Sequence, residues 1–281
     1  MRITKIASTG VVALLFFGCV DEELDTELDE VNTSTEEQEF GSNWNYSWGD
    51  TKYNTLDIGS AHNRACFLSG VAGYLTTNTW PAGGSQAGVG VVLDSSIPFN
   101  LRWKLYVDPA MPLPLQAWAR CVSTTSGFTA EATWRSGQPP KFLAAKAPGR
   151  QCFLTQLTTG RDGQFEHGGF RNTGDTAYVY EDADGWKIYG YQYGGLVWAH
   201  ARCIDVTVDQ GETYHVAPLG QSDVTPLEAQ ANGNNCFLTQ VTGKLDVGDW
   251  VQGPFIAYNA AYNFFDLHTK NGSGGRAGCA R

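Results

Sequence analysis

Residues 234–243 read NNCFLTQVTG, and the same phrase returns, altered, as RQCFLTQLTTG at 150–160 and RACFLSGVAG at 64–73. The leading cysteines Cys66, Cys152 and Cys236 lie 86 and 84 residues apart, each followed by Phe-Leu-Ser/Thr. A glycine closes each phrase at Gly73, Gly160 and Gly243. The register holds further out. Trp80, Phe165 and Trp250 stand 13 or 14 residues after each Cys, with Gly83, Gly168 and Gly253 three positions later. Trp103-Lys104-Leu105-Tyr106 matches Trp186-Lys187-Ile188-Tyr189, with Phe264-Phe265-Asp266-Leu267 as a weaker third copy. Each stretch then ends on a second cysteine, at Ala119-Arg120-Cys121, Ala201-Arg202-Cys203 and Ala277-Gly278-Cys279. Agreement at so many offsets predicts three homologous repeats of about 80 residues, over 43–124, 125–207 and 208–281, packed in tandem or with pseudo-threefold symmetry.

Local patterning within the repeats predicts an all-β fold. Phe237, Thr239 and Val241 alternate with Leu238, Gln240 and Thr242, as in a strand buried mainly on one face. Residues 177–180, the acidic turn Glu181-Asp182-Ala183-Asp184-Gly185 and residues 186–189 predict a β-hairpin. Gly88 to Leu93 and Pro254 to Tyr258 predict further strands. No long 3.6-residue apolar stripe with caps is present.

The chain holds 29 acidic and 19 basic residues among 281. That imbalance is local: residues 20–40 carry ten Asp or Glu and no Lys or Arg, which leaves 17 basic and 19 acidic residues in 41–281. No basic face for nucleic acid follows. The acidic stretch, poor in aromatics and self-repelling, predicts a disordered tether over 19–42.

Ahead of it, Arg2 and Lys5 precede a mostly apolar run from Ile6 to Phe17, which ends at Gly18-Cys19. The run is short for a membrane span and fits a signal peptide over 1–18. An ordinary cleaved signal or an uncleaved anchor would use the same run. Over residues 1–19 the chain resembles bacterial lipoprotein precursors. The resemblance implies lipidation of Cys19, attachment to a membrane through the acyl chains and, with Val20 after the Cys, an outer-membrane or cell-surface location.

With Cys19 set apart, six cysteines remain, and an exported chain permits disulfides. Equivalence of the repeats leaves two sensible pairings. One closes each unit on itself, Cys66–Cys121, Cys152–Cys203 and Cys236–Cys279. The other links neighbours, Cys121–Cys152 and Cys203–Cys236, and needs Cys66 to reach Cys279 in a closed ring. The first is favoured because a unit of this size has a marginal core and gains from its own cross-link. Metal ligation is not expected: short Cys-x-x-Cys spacing is absent, and His62, His167, His200, His215 and His268 fall at non-equivalent places. No cofactor is implied.

Motifs for catalysis are weak. Asp182-Ala183-Asp184-Gly185 begins like a calcium loop but lacks the distal Glu, so a hairpin tip is the simpler reading. Glu166-His167-Gly168-Gly169 has no Gly-x-Ser-x-Gly elbow to accompany it. Trp48, Trp134, Trp103 and Trp186 recur between units and are expected in the core. Trp44, Trp198, Tyr191 and Tyr193 do not recur, and Trp80 and Trp250 sit in Gly-flanked turns. A flat aromatic face beside Asn, Gln or Asp suits sugar rings. Trp80, Trp250, Trp198, Tyr191 and Tyr193 are therefore the candidate ligand-binding residues. The expected function is a multivalent, non-catalytic binding or adhesion module for glycans. The alternatives are an envelope scaffold that binds protein partners and, more remotely, a secreted hydrolase.

Overall fold

Short apolar–polar alternations broken by Gly, Pro and Asn give a chain of strands with no helix among the described residues. The computed structural model describes residues 38–40, 43–78, 86–96, 100–110, 112–123, 126–159, 167–193, 197–206, 213–216, 221–229, 235–246 and 252–280. Cys19, Trp80, Gly160 and Trp250 lie outside them. Eight strands form first: β1 (Gln38–Phe40), β2 (Asn43–Asp50), β3 (Asn54–Ser60), β4 (Ala65–Gly73), β5 (Thr76–Asn78), β6 (Gly88–Asp94), β7 (Arg102–Asp108) and β8 (Leu115–Val122). Seven follow: β9 (Ala132–Arg135), β10 (Lys141–Ala144), β11 (Arg150–Thr159), β12 (His167–Gly169), β13 (Thr176–Asp182), β14 (Gly185–Tyr191) and β15 (Val197–Asp205). The last six are β16 (Thr213–Val216), β17 (Ser222–Ala229), β18 (Asn235–Gly243), β19 (Phe255–Asn259), β20 (Phe264–Lys270) and β21 (Ser273–Ala280).

Three antiparallel sheets take all of these strands but β5 and β12, which pair with each other. Sheet I runs β1-β2-β8-β4-β19-β20-β17, sheet II β16-β21-β18-β13-β14-β10, and sheet III β9-β15-β11-β6-β7-β3. Each sheet joins strands from two separate parts of the chain. The joins are β4 to β19, β18 to β13 and β11 to β6. Sheet I thus ties the first strands to the last ones. β1 lies within the stretch expected to be a disordered tether: its pairing with β2, Gln38 opposite Asn45, makes those three residues sheet.

The repeated Cys-Phe-Leu phrases form β4, β11 and β18. Each Cys stands directly opposite its partner on the adjacent strand, and the disulfides are Cys66–Cys121, Cys152–Cys203 and Cys236–Cys279. Neighbour-linking pairs are therefore not the ones used. The Cys and Leu side chains enter the main core, while the Phe points the other way into a second, smaller cluster. There Phe67, Phe153 and Phe237 meet one another, with ring centroids 5.1, 5.2 and 4.8 Å apart. The register then shifts after each Leu, between Leu68 and Gly70, Leu154 and Gln156, and Leu238 and Gln240. Ser69, Thr155 and Thr239 are the extra residues of these bulges, and all three are buried.

The expected one-sided burial of residues 237–242 is corrected by this arrangement, since every residue of β18 is buried. One side faces the main core, Phe237 on the other enters the phenylalanine cluster, the bulge breaks the alternation, and beyond it Gln240 and Thr242 bond to Thr176 Oγ1 and Asp175 O of the neighbouring chain segment. Beyond the phrases, three backbone hydrogen bonds close a triangle: Leu75 N–H to Leu245 O (2.8 Å), Leu245 N–H to Phe170 O (2.8 Å) and Phe170 N–H to Leu75 O (3.2 Å). Gly243 ends β18 with φ 88°, and a Cβ there would lie 2.0 Å from Gly272 O, so both backbone angle and space require glycine.

The recurring tryptophans pack inward, Trp103, Trp134 and Trp186 buried and Trp48 half-buried against the main core. Trp103 Nε1 donates to Arg64 O at 2.9 Å and Trp134 Nε1 to Gln138 O at 3.0 Å, which satisfies the indoles in place.

Candidate functional site

The hairpin of β13 and β14 alternates cleanly. Ala177 and Val179, with Trp186, Ile188 and Gly190 opposite, are buried; Tyr178, Tyr180, Lys187, Tyr189 and Tyr191 turn outward on sheet II. The two-residue turn Ala183-Asp184 sets the register, which places Tyr178 opposite Tyr189, Tyr180 opposite Lys187 and Thr176 opposite Tyr191. Rings therefore adjoin along and across the strands. Tyr178 and Tyr180 have centroids 5.5 Å apart, and Tyr178 and Tyr189 are 6.0 Å apart edge to face. Past the end of β14, Tyr193 meets Tyr191 edge to face at 4.9 Å. These last two are 66 % and 51 % exposed, well beyond what packing requires.

The floor of this face comes from elsewhere in the chain. The Trp134 ring lies 5.7 Å from Tyr189, edge to face, and fits because Gly190 has no side chain: a Cβ would lie 2.7 Å from the indole. On the flank, Gln240 of β18 stands opposite Tyr178, and its Nε2 donates to Thr176 Oγ1 at 2.9 Å. Burial raises the Tyr178 phenol above its ordinary value, reinforced by Tyr180 and Tyr189 and opposed by Arg276. It remains a neutral hydrogen-bonding group at neutral pH. At the hairpin tip Lys187 Nζ reaches Asp182 at 2.7 Å and Asp184 at 3.1 Å, so the charges there are internally balanced. The Asp182-Ala183-Asp184-Gly185 stretch is this tip, and no group of three metal-ligating side chains occurs among the described residues.

Of the candidates read from sequence, the structure brings Tyr191 and Tyr193 together. Trp198 lies on another sheet, on β15 of sheet III, with the Arg135 guanidinium over its ring at 4.3 Å from the centroid. Trp80 and Trp250 fall outside the described residues, as does the side chain of Trp44, whose backbone on β2 stands opposite Cys121. His167 and Gly168-Gly169 form β12, paired with β5. Sequence reasoning passed over Tyr178, Tyr180 and Tyr189. Their signal was the period-two spacing of tyrosine in YVY and YGYQY on either side of a hairpin turn.

The outward faces of the other sheets differ in chemistry. On sheet I, Trp118 stacks on Phe255 (5.0 Å, 18°) and Phe255 on His268 (4.7 Å, 6°), so the rings cover one another's faces. Burial, the main cause, lowers the His268 pKa, with Asp266 opposing. Gly70 makes room for the stack, since a Cβ there would lie 2.5 Å from that of Phe255. On sheet III, Glu131 accepts hydrogen bonds from Thr155 Oγ1 (2.7 Å) and Gln156 Nε2 (2.8 Å). Its oxygens also lie 3.5 Å from His200 Nδ1 and 3.6 Å from Arg202 Nε. Burial works to raise the Glu131 pKa, but the His200, Thr155 and Gln156 contacts and the Arg202 charge prevail and hold it at about 2.

Fold and site together define an all-β, disulfide-bonded protein that presents an open aromatic face. No protein-family model and no curated protein matches the chain.

Proposed function

We propose that this chain is a lipid-anchored surface protein that binds glycans without catalysis. The observation that carries the reading is the tyrosine face of sheet II. Five tyrosines share this side of the hairpin and its end, Tyr178 in ring contact with Tyr180 and Tyr189, and Tyr191 with Tyr193, beside the amide of Gln240 and the hydroxyl of Thr176. Sugar C–H faces stack on such rings while hydroxyls meet the polar flank. Three buried disulfides suit an oxidising compartment outside the cytoplasm, in keeping with the signal-like run and Cys19.

The same reading takes residues 43–124, 125–207 and 208–281 as homologous units closed into a pseudo-threefold ring. The shared strand order of the sheets, the meeting of Phe67, Phe153 and Phe237 and the Leu75–Leu245–Phe170 triangle support it. Because the three outer faces differ, the units would join unlike contacts on one polymer, with a gain in avidity if these engage together. An alternative, an envelope scaffold that binds a protein partner, is favoured by Val224, Tyr262 and Phe264, exposed on β17 and around the β19–β20 turn of sheet I.

The test is retention of the purified, oxidised chain on immobilised neutral and uronic-acid polysaccharides. Saturable binding is expected, weakened by Tyr178→Ala and by Tyr191→Ala with an unchanged circular dichroism spectrum. No retention on any polysaccharide, or binding indifferent to both substitutions, overturns the assignment to this face. Capture of one stoichiometric envelope protein, abolished by Phe264→Ala, would support the scaffold instead.

A further inference from the structure

Exposed aromatic rings gain little from burial, so an exposed pair with fixed geometry must be held by something else. For Tyr191 and Tyr193 that element is Asp175. Its side chain is buried, and the two carboxyl oxygens divide their work. Oδ2 accepts from the backbone N–H of Arg171 and of Asn172, both at 2.8 Å, which closes the local turn. Oδ1 instead accepts the Tyr193 backbone N–H at 2.9 Å, from 18 residues away across the hairpin. The Asp175 carbonyl oxygen receives Gly243 N–H (2.8 Å) and Thr242 Oγ1 (3.0 Å), which roots the whole arrangement in β18. Next door, Gly174 forms the surface on which the Tyr193 ring lies: a Cβ there would stand 2.4 Å from Tyr193 Cε2.

Closing the turn needs only Oδ2. A second oxygen spent on the backbone of a residue that is 66 % exposed fixes a ring in solvent, which does little for the core.

We propose that Asp175 is a positioning residue for the glycan face, acting through Tyr193, and that Gly174 sets the height of the Tyr193 ring. The proposal rests on the glycan reading above and names the end of the face where the ligand is gripped. The pair presents one ring edge against another, an open corner suited to a neutral sugar ring.

Gly174→Ala is the sharpest probe, because no positive φ marks Gly174 and the displaced atom is the far end of a side chain. The fold should survive while the ring moves. With a soluble neutral β-glucan as titrant, Gly174→Ala and Tyr193→Ala should each weaken binding by about fivefold to tenfold. Asp175→Asn should weaken the wild-type chain but add nothing in a Tyr193→Ala background. Without any ligand, amide hydrogen exchange at Tyr193 should accelerate in Asp175→Asn. Equal losses from Asp175→Asn in both backgrounds, or an unchanged Tyr193 amide, overturn the positioning role. If the wild-type chain binds neither this glucan nor any polysaccharide of the panel, the glycan reading falls, and the amide still reports whether Asp175 fixes Tyr193.

Discussion

Glu131→Gln removes one charge from sheet III while keeping shape, and its effect should depend on pH in a defined direction. The Glu131 carboxylate is held at about 2, against 4.5 for an unconstrained group. A depressed folded-state pKa means that its stabilisation is complete above the unfolded value and fades as pH falls from 4.5 toward 2. At 1.36 kcal/mol for each pH unit, the gap corresponds to about 3 kcal/mol at neutral pH. The glutamine keeps an acceptor for Thr155 but turns an N–H toward Gln156 Nε2 or toward His200 and the Arg202 guanidinium, which leaves Arg202 without its counter-charge. Urea unfolding of the oxidised chain and of the variant, at pH values from 7 to 3, measures the difference. The variant should lose about 3 kcal/mol at pH 7, a shift of about 1–2 M in midpoint, and the difference should shrink to about 1.4 kcal/mol at pH 3. Glu181→Gln is the control: its contact with Lys146 is 3.7 Å and solvent-exposed, and it should cost under about 1 kcal/mol. A Glu131→Gln deficit of the same size at every pH would refute the reasoning, since it would show lost packing rather than lost charge.

Two further outcomes test the core. Replacing Cys152 and Cys203 together with Ala opens a loop of 51 residues and should lower stability by about 4 kcal/mol in the chain-entropy model, read by urea midpoint. Phe153→Ala, at the meeting of three rings, should cost about 3–5 kcal/mol, whereas Phe142→Ala, 52 % exposed at an edge strand, should change stability by less than about 0.5 kcal/mol; equal effects would contradict the packing described.

What sequence could disclose here depended on whether a residue's role repeats. Cys66, Cys152 and Cys236 each pair with a cysteine at a similar distance along the chain, so comparison within one chain was enough to favour their partners. The inward packing of Trp103, Trp134 and Trp186 was legible on the same ground. Phe67, Phe153 and Phe237 repeat just as strictly, yet their fate was hidden: each packs against the other two, and alternation along one strand says nothing of a neighbour 84 or more residues away. Together with the packing of β13 beside Gln240 and Thr242, that is why every residue of β18 is buried where one open face is expected from its alternation.

The tyrosine face shows the opposite limit. Alternation marks Tyr178, Tyr180, Tyr189 and Tyr191 as sharing a side of the hairpin, but not whether that side meets core or solvent. What decides it is which residues fill the other side, with Ala177, Val179, Trp186 and Ile188 in the core, and Trp134 reaching Gly190 from β9. Glu131 lay further out of reach, because its donors Thr155 and Gln156 are 24 and 25 residues away and sit at a bulge whose register no local pattern announces. On the proposed reading, the binding face therefore lies where the three stretches differ. A glycine stands at 70 on sheet I where Gln156 and Gln240 occupy the matching bulge positions, and that one exchange separates a self-stacked Trp118–Phe255–His268 row from a face whose amide meets Tyr178. The three Cys-Phe-Leu strands share a disulfide, a bulge and a buried phenylalanine, while the residues on the outer rows differ from sheet to sheet.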